Sequence, residues 1–414
     1  MKKSLFFALA VAGMLAGCSS NESFDGGSYT ENNDDADYSG VPIQIGVSRI
    51  AALDVRGTGT VGDIEGGTQN VWHGQTVNVM MFEKGTLNLA IKDKELDQTP
   101  IYNGTAFTTP DGEVSAVAKD ASHAINYYPQ SGQFDFWGYR LDGAELDEQP
   151  VAEEETEATE FTLKYAGEKV GLNFQIDGSQ DVMIAKAQPS ATDLTDHAAA
   201  AARAYSAYAA RNGVQPELIF KHLLTRLNFQ VVGGDENAID PTTGSFVQGV
   251  AVKSKATGQL IVAYTGEEIA DANRIEWTEG QDLVGLNVRE RVGNDPNTNL
   301  VDLTPTQPTS TTEPTQLGEA VLVAPAEQYD LVITLYQYKP EIEDGNEDGN
   351  EDGNPVKKEF TVPATITTDG GFLLGHSYNV TIKLFGMQQI DITTTLTDWE
   401  NGGNIDITPE DNIE

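Results

Sequence analysis

The sequence predicts an all-β protein of the sandwich type. After residue 40 most of the chain consists of short runs rich in β-branched and aromatic residues, separated by Gly, Asn, Asp and Pro. Residues 41–47 alternate apolar and other side chains as a half-buried strand does, and residues 77–82 and 134–139 behave similarly. Strands do not alternate with long helical runs, as they would in an α/β protein.

One segment departs from the β pattern and predicts a helix. Residues 193–211 are rich in Ala, the residue with the highest helix propensity. Asp193 or Thr195 could cap its start, and Asn212 with Gly213 supplies a stop. We therefore expect a short helical insertion near a domain junction.

A second series of strand-like runs follows the helical segment. Low-complexity stretches interrupt it at residues 295–316 and at the acidic repeat 343–354. The predicted organisation is a signal peptide (1–17), a disordered tether (18–40), an N-terminal β-sandwich (41–190), a helical linker or insertion (191–215) and a C-terminal β-sandwich with acidic loops (216–414).

The N-terminal residues predict an export signal. Lys2 and Lys3 precede an apolar run at residues 5–15, and small residues then lead to Cys18, the only cysteine of the chain. Because cleavage would fall directly before Cys18, the segment resembles a bacterial lipobox, and the resemblance implies acylation of the cysteine sulfur and of its new amine. An ordinary signal peptide with a chance cysteine is the alternative.

The charge balance excludes some partners. The formal net charge of the 414 residues is −39, and such an acidic surface repels phosphate backbones, so we expect no nucleic-acid binding. No apolar run after the signal approaches the roughly 18 to 20 residues of a transmembrane helix. The lipid on Cys18 is therefore the expected membrane attachment.

A glycine motif at residues 57–62 matches the dinucleotide fingerprint GxGxxG. The fingerprint requires a helix that starts at the glycines and receives the pyrophosphate. Residues 63–68 form a poor helix and place carboxylates beside the phosphate position. A loop is the favoured interpretation.

The acidic repeat 343–354 contains three copies of Glu-Asp-Gly-Asn. Asp344, Asn346 and Asp348 have the spacing of calcium ligands, but Pro355 stands at the twelfth position in place of a bidentate Glu. A solvated loop is favoured, and weak calcium binding stays as a hypothesis.

No motif in the sequence indicates catalysis. The five histidines are scattered without metal-ligand spacing, and no nucleophile elbow or HExxH motif occurs. We therefore expect a protein that is not an enzyme and has no cofactor. Trp72, Trp137, Trp277 and Trp399 could line a sugar platform or pack in the cores.

Six segments carry a resemblance to a known family. They are residues 55–58, 77–82, 127–139, 181–185, 220–229 and 390–399. In this order, behind a lipobox, they resemble elements of the fimbrillin family of Bacteroidetes, the subunits of type V pili. The corresponding family elements are, in turn, the Thr-Arg-small element, the early hydrophobic strand, the paired aromatic strands, the Asp-Leu-Met-Tyr-Ala element, the His-containing strand and the closing strand. Val55 stands at the usual Thr position and Ile184 at the Tyr position.

The resemblance implies two tandem transthyretin-like β-sandwiches and a surface pilus subunit. It also implies that an arginine-specific surface protease removes the first strand, and that a strand of another subunit then fills the groove. Arg56 is the expected scissile residue, with Arg49 as the alternative. Val41, Ile43, Ile45 and Val47 would belong to the displaced strand.

Further partners and an alternative function remain open. The resemblance places the protein in the outer membrane as a lipoprotein exported to the cell surface and in the fimbrium, with adhesion to a host or glycan ligand as an expected role. The alternative is a monomeric, lipid-anchored surface protein that presents aromatic loops to glycans.

Overall fold

Strands form most of the regular structure in the computed structural model of the chain. The structure describes residues 40–43, 45–48, 77–87, 96–100, 113–118, 127–141, 151–152, 163–166, 168–241, 244–292, 300–337, 356–366, 370–385 and 390–397. All of them belong to one compact unit, Tyr38–Glu414.

The strands and helices alternate little along the chain. The first strands are β1 (Ile45–Ser48), β2 (Val77–Glu83), β3 (Leu96–Pro100), β4 (Glu113–Ala118), β5 (Phe134–Leu141), β6 (Val151–Ala152), β7 (Leu163–Ala166), β8 (Lys169–Gln175) and β9 (Val182–Lys186). Three short helices follow, α1 (Ala191–Asp196), α2 (Ala198–Ala201) and α3 (Ala207–Arg211).

Further strands occupy the rest of the chain, with a 3₁₀ turn at Asp271–Asn273. They are β10 (Glu217–Leu218), β11 (Lys221–His222), β12 (Thr225–Gly233), β13 (Phe246–Ser254), β14 (Thr257–Tyr264), β15 (Ile275–Trp277), β16 (Val284–Asn287), β17 (Arg289–Arg291), β18 (Leu300–Asp302), β19 (Thr315–Val323), β20 (Gln328–Gln337), β21 (Val356–Thr365), β22 (Ser377–Leu384) and β23 (Ile390–Thr397). The predicted all-β class is confirmed.

The first sheet curves until its two ends meet. Its strand order is β10-β1-β4-β3-β2-β5-β9-β11. Only Ile219 and Phe220 separate the terminal strands β10 and β11 along the chain. An extended chain of this length covers about 10 Å, so the two ends of the sheet lie next to each other. We call residues 217–222 the bridging segment.

The bridging segment alternates its side chains between the inside of this curved sheet and its outside. Leu218, Phe220 and His222 are buried, whereas Ile219 is 37% exposed. Gly138 on β5 makes room for the inward side chains, because a Cβ at this position would lie 2.7 Å from Phe220 Cζ and 3.1 Å from Leu218 Cδ1. The period of two is that of a strand packed on one face.

The remaining strands form three larger sheets and one hairpin. Their orders are β15-β14-β8-β7-β6, β19-β12-β22-β23, β16-β13-β20-β21 and β17-β18. The inner faces of the two four-stranded sheets share one apolar cluster, to which Phe229 and Val380 contribute from one sheet and Val250 and Ile333 from the other. Such packing of two sheets on a common core defines a β-sandwich.

The five-stranded sheet joins parts of the chain from both sides of the helices. In it β8 pairs with β14, from Thr257↔Gln175 to Tyr264↔Lys169. The predicted tandem of transthyretin-like sandwiches and its boundaries at residues 41–190 and 216–414 stay predictions.

The helical segment begins earlier than its sequence indicated. Ser190 is the N-cap of α1, and its Oγ accepts a hydrogen bond from the Asp193 N–H at 3.0 Å. The Asp193 carboxylate accepts in return from the Ser190 N–H, also at 3.0 Å, which completes a capping box. The expectation that Asp193 or Thr195 is the cap was therefore wrong, because the acidic residue acts from the third helical position.

The single expected helix is also interrupted. The backbone of Tyr205 exchanges two hydrogen bonds with Phe134, at 2.7 and 3.2 Å. Tyr205 is therefore paired with the sheet and does not continue the helix, despite its alanine-rich surroundings. Ser206 then caps α3 through its side chain, and Gly213, with φ of +85°, ends the segment as predicted.

None of the helices among the described residues has both the length and the apolar character needed to cross a membrane.

Candidate functional site at the first strand

The first strand lies inside the curved sheet with a neighbour on each side. On one side β1 pairs antiparallel with β4, from Ile45↔Ala116 to Ser48↔Glu113. On the other side it pairs parallel with β10, through Gly46↔Glu217 and Val47↔Leu218. Its removal would therefore leave two strand edges, those of β4 and β10, without a partner between them. We call this position the first-strand groove.

Two apolar side chains anchor the first strand in this groove. Ile45 is 2% exposed and Val41 is 6% exposed. Ile43 is half-buried and packs against the same cluster. The chain ahead of β1 is also tied by its backbone, because the Tyr128 N–H donates to the Val41 carbonyl at 2.9 Å. Val47 lies on the strand, and its side chain is outside the described residues.

The lining of the groove is apolar and aromatic. The ring centroid of Phe136 lies 6.1 Å from that of Tyr128 and 5.7 Å from that of Tyr205, both in edge-on geometry. Burial raises the pKa of both tyrosines above the ordinary value, and the interaction between the two phenols raises that of Tyr128 further. Both phenols therefore stay neutral at physiological pH. The described part of the groove lining therefore offers apolar and aromatic surface to an occupant.

The described side chains account for part of the energy that holds the first strand. Burying one Val or Ile side chain contributes about 1.5 to 3 kcal/mol, and two such side chains are anchored here. The paired strand covers four residues, which is short for a strand in a folded protein. Another segment with apolar residues at the same alternation could replace it at comparable free energy.

Several predicted site residues lie outside the described residues. They are Cys18, Arg49, Arg56, Asp344, Asn346 and Asp348, together with Trp72 and Trp399. Lipidation, cleavage and calcium binding at these positions stay predictions. Arg49 and Arg56 fall between β1 and β2 in the sequence.

The other two tryptophans are described and differ in exposure. Trp137 is 1% exposed, so it is a core residue. Trp277 on β15 is half-buried, and its ring centroid lies 5.6 Å from that of Phe174 in edge-on geometry. Part of the Trp277 side chain therefore stays accessible.

A buried ionisable pair next to the bridging segment was not foreseen from the sequence. His222 Nδ1 lies 2.6 Å from Asp181 Oδ2, and both side chains are fully buried. The pair ties β11 to the residue before β9. Both residues occur in segments that resemble the family pattern, but no local pattern indicates that they meet. Burial lowers the pKa of nearby Arg226 to about 9, although the carboxylates of Glu319 and Asp181 raise it in part.

A second carboxylate is held in the turn between β8 and β9. Asp177 accepts hydrogen bonds from the Ser179 N–H at 2.9 Å, from Ser179 Oγ at 2.6 Å and from Arg289 at 2.8 Å. Partial burial by itself raises the pKa of Asp177, but the hydrogen bonds from Ser179 and Arg289 together outweigh it and lower that pKa below the ordinary value.

Within the part of the chain that the structure describes, no group of three or more His, Cys, Asp or Glu side chains could hold a metal ion. The site is thus built from strand edges and apolar pockets.

Comparisons with known proteins give matches among solved structures. A fimbrial protein from Bacteroides vulgatus is 16% identical, with 85% of this chain and 99% of that chain covered and a TM-score of 0.42. A proposed cell adhesion protein from Bacteroides uniformis is 12% identical, with 86% and 99% covered and a TM-score of 0.41. The fimbrial anchor protein Mfa2 from Porphyromonas gingivalis is 8% identical, with 87% and 99% covered and a TM-score of 0.29.

These matches are of the kind that the sequence resemblance names, since they are fimbrial and cell adhesion proteins of Bacteroidetes. TM-scores below 0.5 at such identities do not establish a common architecture. No family model matches the chain, and no curated protein matches it.

Proposed function

We propose that this chain is a structural or accessory subunit of a cell-surface pilus that assembles by strand exchange and contributes to adhesion. The observation that carries the proposal is the position of β1, a four-residue strand that is paired on both sides and buries Ile45 in the core. The order of the family-like segments behind a lipobox supports the same function. The role is structural, so neither catalysis nor a cofactor is involved.

The proposed route starts with export as an outer membrane lipoprotein through Cys18. An arginine-specific surface protease then cuts after Arg56, or alternatively after Arg49, in the part of the chain between β1 and β2. The first strand leaves, and a strand of another subunit enters the first-strand groove. Main-chain hydrogen bonds to β4 and β10 supply affinity, and the pockets of Val41 and Ile45 set the register.

Incubation of the purified protein with an arginine-specific protease tests this route. Cleavage after Arg56 should be followed by a ladder of higher-order species on electrophoresis without boiling and by filaments in electron microscopy. Arg56→Ala should abolish both, whereas Arg49→Ala should leave them unchanged. An intact chain, or a trimmed chain that stays monomeric, contradicts the proposal.

A second candidate function is that of a monomeric, lipid-anchored glycan-binding protein. The partial exposure of Trp277 on the edge strand β15 favours it. Binding on a glycan array that Trp277→Ala removes and Trp277→Phe keeps, in a protein that forms no higher-order species, would support this candidate over the pilus subunit.

A further inference from the structure

A pocket lies where the curved sheet is not fully closed. The bridging segment pairs with β9 only through Lys221↔Ile184 and His222↔Met183, and its first residues pair with β1 instead. Beyond Ile184, β9 diverges from the bridging segment, and a cavity of about 290 Å³ lies beside the two. Lys186 and Ile219 line it from the sheet. We call this cavity the seam pocket.

The edge of β9 at Lys186 faces the seam pocket with its backbone. The Ala187 N–H donates to the Phe136 carbonyl of β5 at 2.9 Å. In an antiparallel pair the residues next to such a hydrogen-bonded position direct their N–H and C=O groups to the opposite side. Lys186 therefore directs its peptide groups away from β5, and among the described strands the pairing on that side ends at Ile184.

Two cations, the exposed Lys186 and the buried Arg274, contact the same tryptophan beside the pocket. Arg274 is only 3% exposed, and it donates to the carbonyls of Ile261 at 2.8 Å and Val262 at 2.7 Å. Lys186 Nζ lies 4.4 Å from the ring centroid of Trp137, and Arg274 Cζ lies 5.4 Å from the same centroid. Burial lowers the pKa of Arg274 to about 10, whereas the nearby Tyr264 phenol and Asp271 carboxylate raise it in part.

The carboxylates of the pocket are placed differently. Asp271 is engaged by Lys221 at 2.7 Å. Glu268 is exposed and Glu217 is half-buried, so both lie toward the opening. Arg274 is therefore the one buried charged residue of the pocket lining, whereas Lys186 is exposed, as Glu268 is. This arrangement suits a ligand that directs one negative group past Lys186 toward Arg274.

The aromatic residues decide between ligand classes. Tyr264 is 7% exposed, and its ring contacts Trp137 at 4.8 Å as well as both cations. Among the residues that line the pocket, Tyr264 is the one aromatic side chain, and its low exposure offers little surface on which a sugar could stack. A strand edge, by contrast, binds an extended peptide through main-chain hydrogen bonds, with neighbouring side chains giving specificity.

We propose that the seam pocket binds a short extended peptide that adds to β9 at Lys186, lays apolar side chains on Ile219 and Ile269, and directs one acidic side chain toward Lys186 and Arg274. The occupant is a segment of another protein with alternating apolar and acidic residues. This site borders the first-strand groove at Glu217, but it needs no cleavage at Arg56, so it does not rest on the proposed pilus function.

The capped peptide acetyl-Thr-Ile-Asp-Ile-Thr-amide, titrated into the full chain by calorimetry and NMR, is the probe. We expect saturable binding that slows the amide hydrogen exchange of Lys186. Replacing the Asp of the peptide by Asn should weaken binding about tenfold, because a charge-assisted hydrogen bond is lost. Methylating the two isoleucine amide nitrogens of the peptide should abolish it.

Variants of the protein test the charge of Lys186 and its backbone N–H separately. Lys186→Met should remove the difference between the Asp and Asn peptides, and Lys186→Pro should remove binding of both. Lys358→Met is the matched control, since Lys358 also lies over an aromatic ring, 4.5 Å from the Phe360 centroid, and it should bind as the wild type. The absence of saturable binding, or binding that leaves the exchange of the Lys186 amide unchanged, would overturn the proposal.

Discussion

Replacing Ile45 by Ala should weaken the hold of the first strand by a predictable amount. The side chain is 2% exposed and packs in the cluster that contains Val41, Tyr128 and Phe136. Truncation of a buried Ile to Ala costs about 2 to 5 kcal/mol, and about 3 kcal/mol is a reasonable value for a strand that can adjust. That free energy corresponds to about a 100-fold change in the equilibrium for release of the cleaved strand.

Cleavage makes the comparison of wild type and Ile45→Ala selective for the first strand. If the protease cuts after Arg56, wild type and Ile45→Ala yield the same covalent chain from Gly57 onward. Any difference in the rate of assembly then reports on the departure of β1 alone. Urea denaturation measures the loss of stability in the uncut protein, and light scattering after protease addition measures assembly, which should be up to about 100-fold faster in the variant if release of β1 limits the rate.

Val79→Ala is the matched control, because Val79 is fully buried in the same cluster but lies on β2 and stays in the trimmed chain. It should destabilise the uncut protein and the assembled protein alike, whereas Ile45→Ala should give assemblies as stable as those of the wild type. Assembly of Ile45→Ala at the wild-type rate would show that release of β1 does not limit the rate. Assemblies of Ile45→Ala that are less stable than those of the wild type would show that β1 is not the element that is replaced.

Three further predictions concern stability. Asp181→Ala removes the carboxylate that contacts His222 Nδ1 in a fully buried site and should lower the free energy of unfolding by about 1 to 3 kcal/mol, because a buried hydrogen bond is lost; no measurable loss in urea denaturation would show that the pair does not tie β11 to β9. Gly138→Ala places a Cβ 2.7 Å from Phe220 Cζ and should cost about 1 to 3 kcal/mol, and Phe220→Leu in the same chain should recover part of it; equal losses in the single and double variants would refute the steric reason. Because the pKa of Asp177 is lowered in the folded protein, the contribution of this carboxylate to stability is fully present above the ordinary pKa of 3.8 and is lost as the pH falls through the folded-state pKa. Asp177→Asn should therefore flatten the decline of the thermal midpoint below about pH 4. An unchanged decline would argue against this role of Asp177.

The strands were predictable because their periodicity is local. The run at residues 77–82 became β2 (Val77–Glu83), and residues 134–139 became β5 (Phe134–Leu141). Both strands are buried on both faces, since in β2 Met80 and Phe82 pack in one apolar cluster and Val79 and Met81 in another. Such an apolar run is visible in the sequence without knowledge of the partner strand. Such runs are the reason that the all-β class could be predicted.

The failures arose where distant contacts override local preference. The alanine-rich segment was expected to form one helix, but Tyr205 pairs with Phe134 of the sheet and interrupts it. Likewise β19 (Thr315–Val323) begins inside a stretch that composition marked as low complexity, because its partner β12 supplies the ladder. Composition carries no information on such partners.

The candidate site was predictable in part. The alternation of residues 41–47 indicated a strand with Val41 and Ile45 on one face, and the structure buries both. The two neighbours β4 and β10 could not be foreseen, since β10 is a two-residue strand about 170 positions away in the chain. The Asp181–His222 pair and the seam pocket depend on the same long-range closure.

The central claim is that the first strand is removed and replaced during assembly. Mass spectrometry of the protein in sheared surface filaments tests it most directly, because it reads the N-terminus of the assembled chain. We expect an N-terminus at Gly57, with the lipid on Cys18 lost together with β1. A filament protein that still carries an acylated Cys18 and residues 41–47 would contradict it.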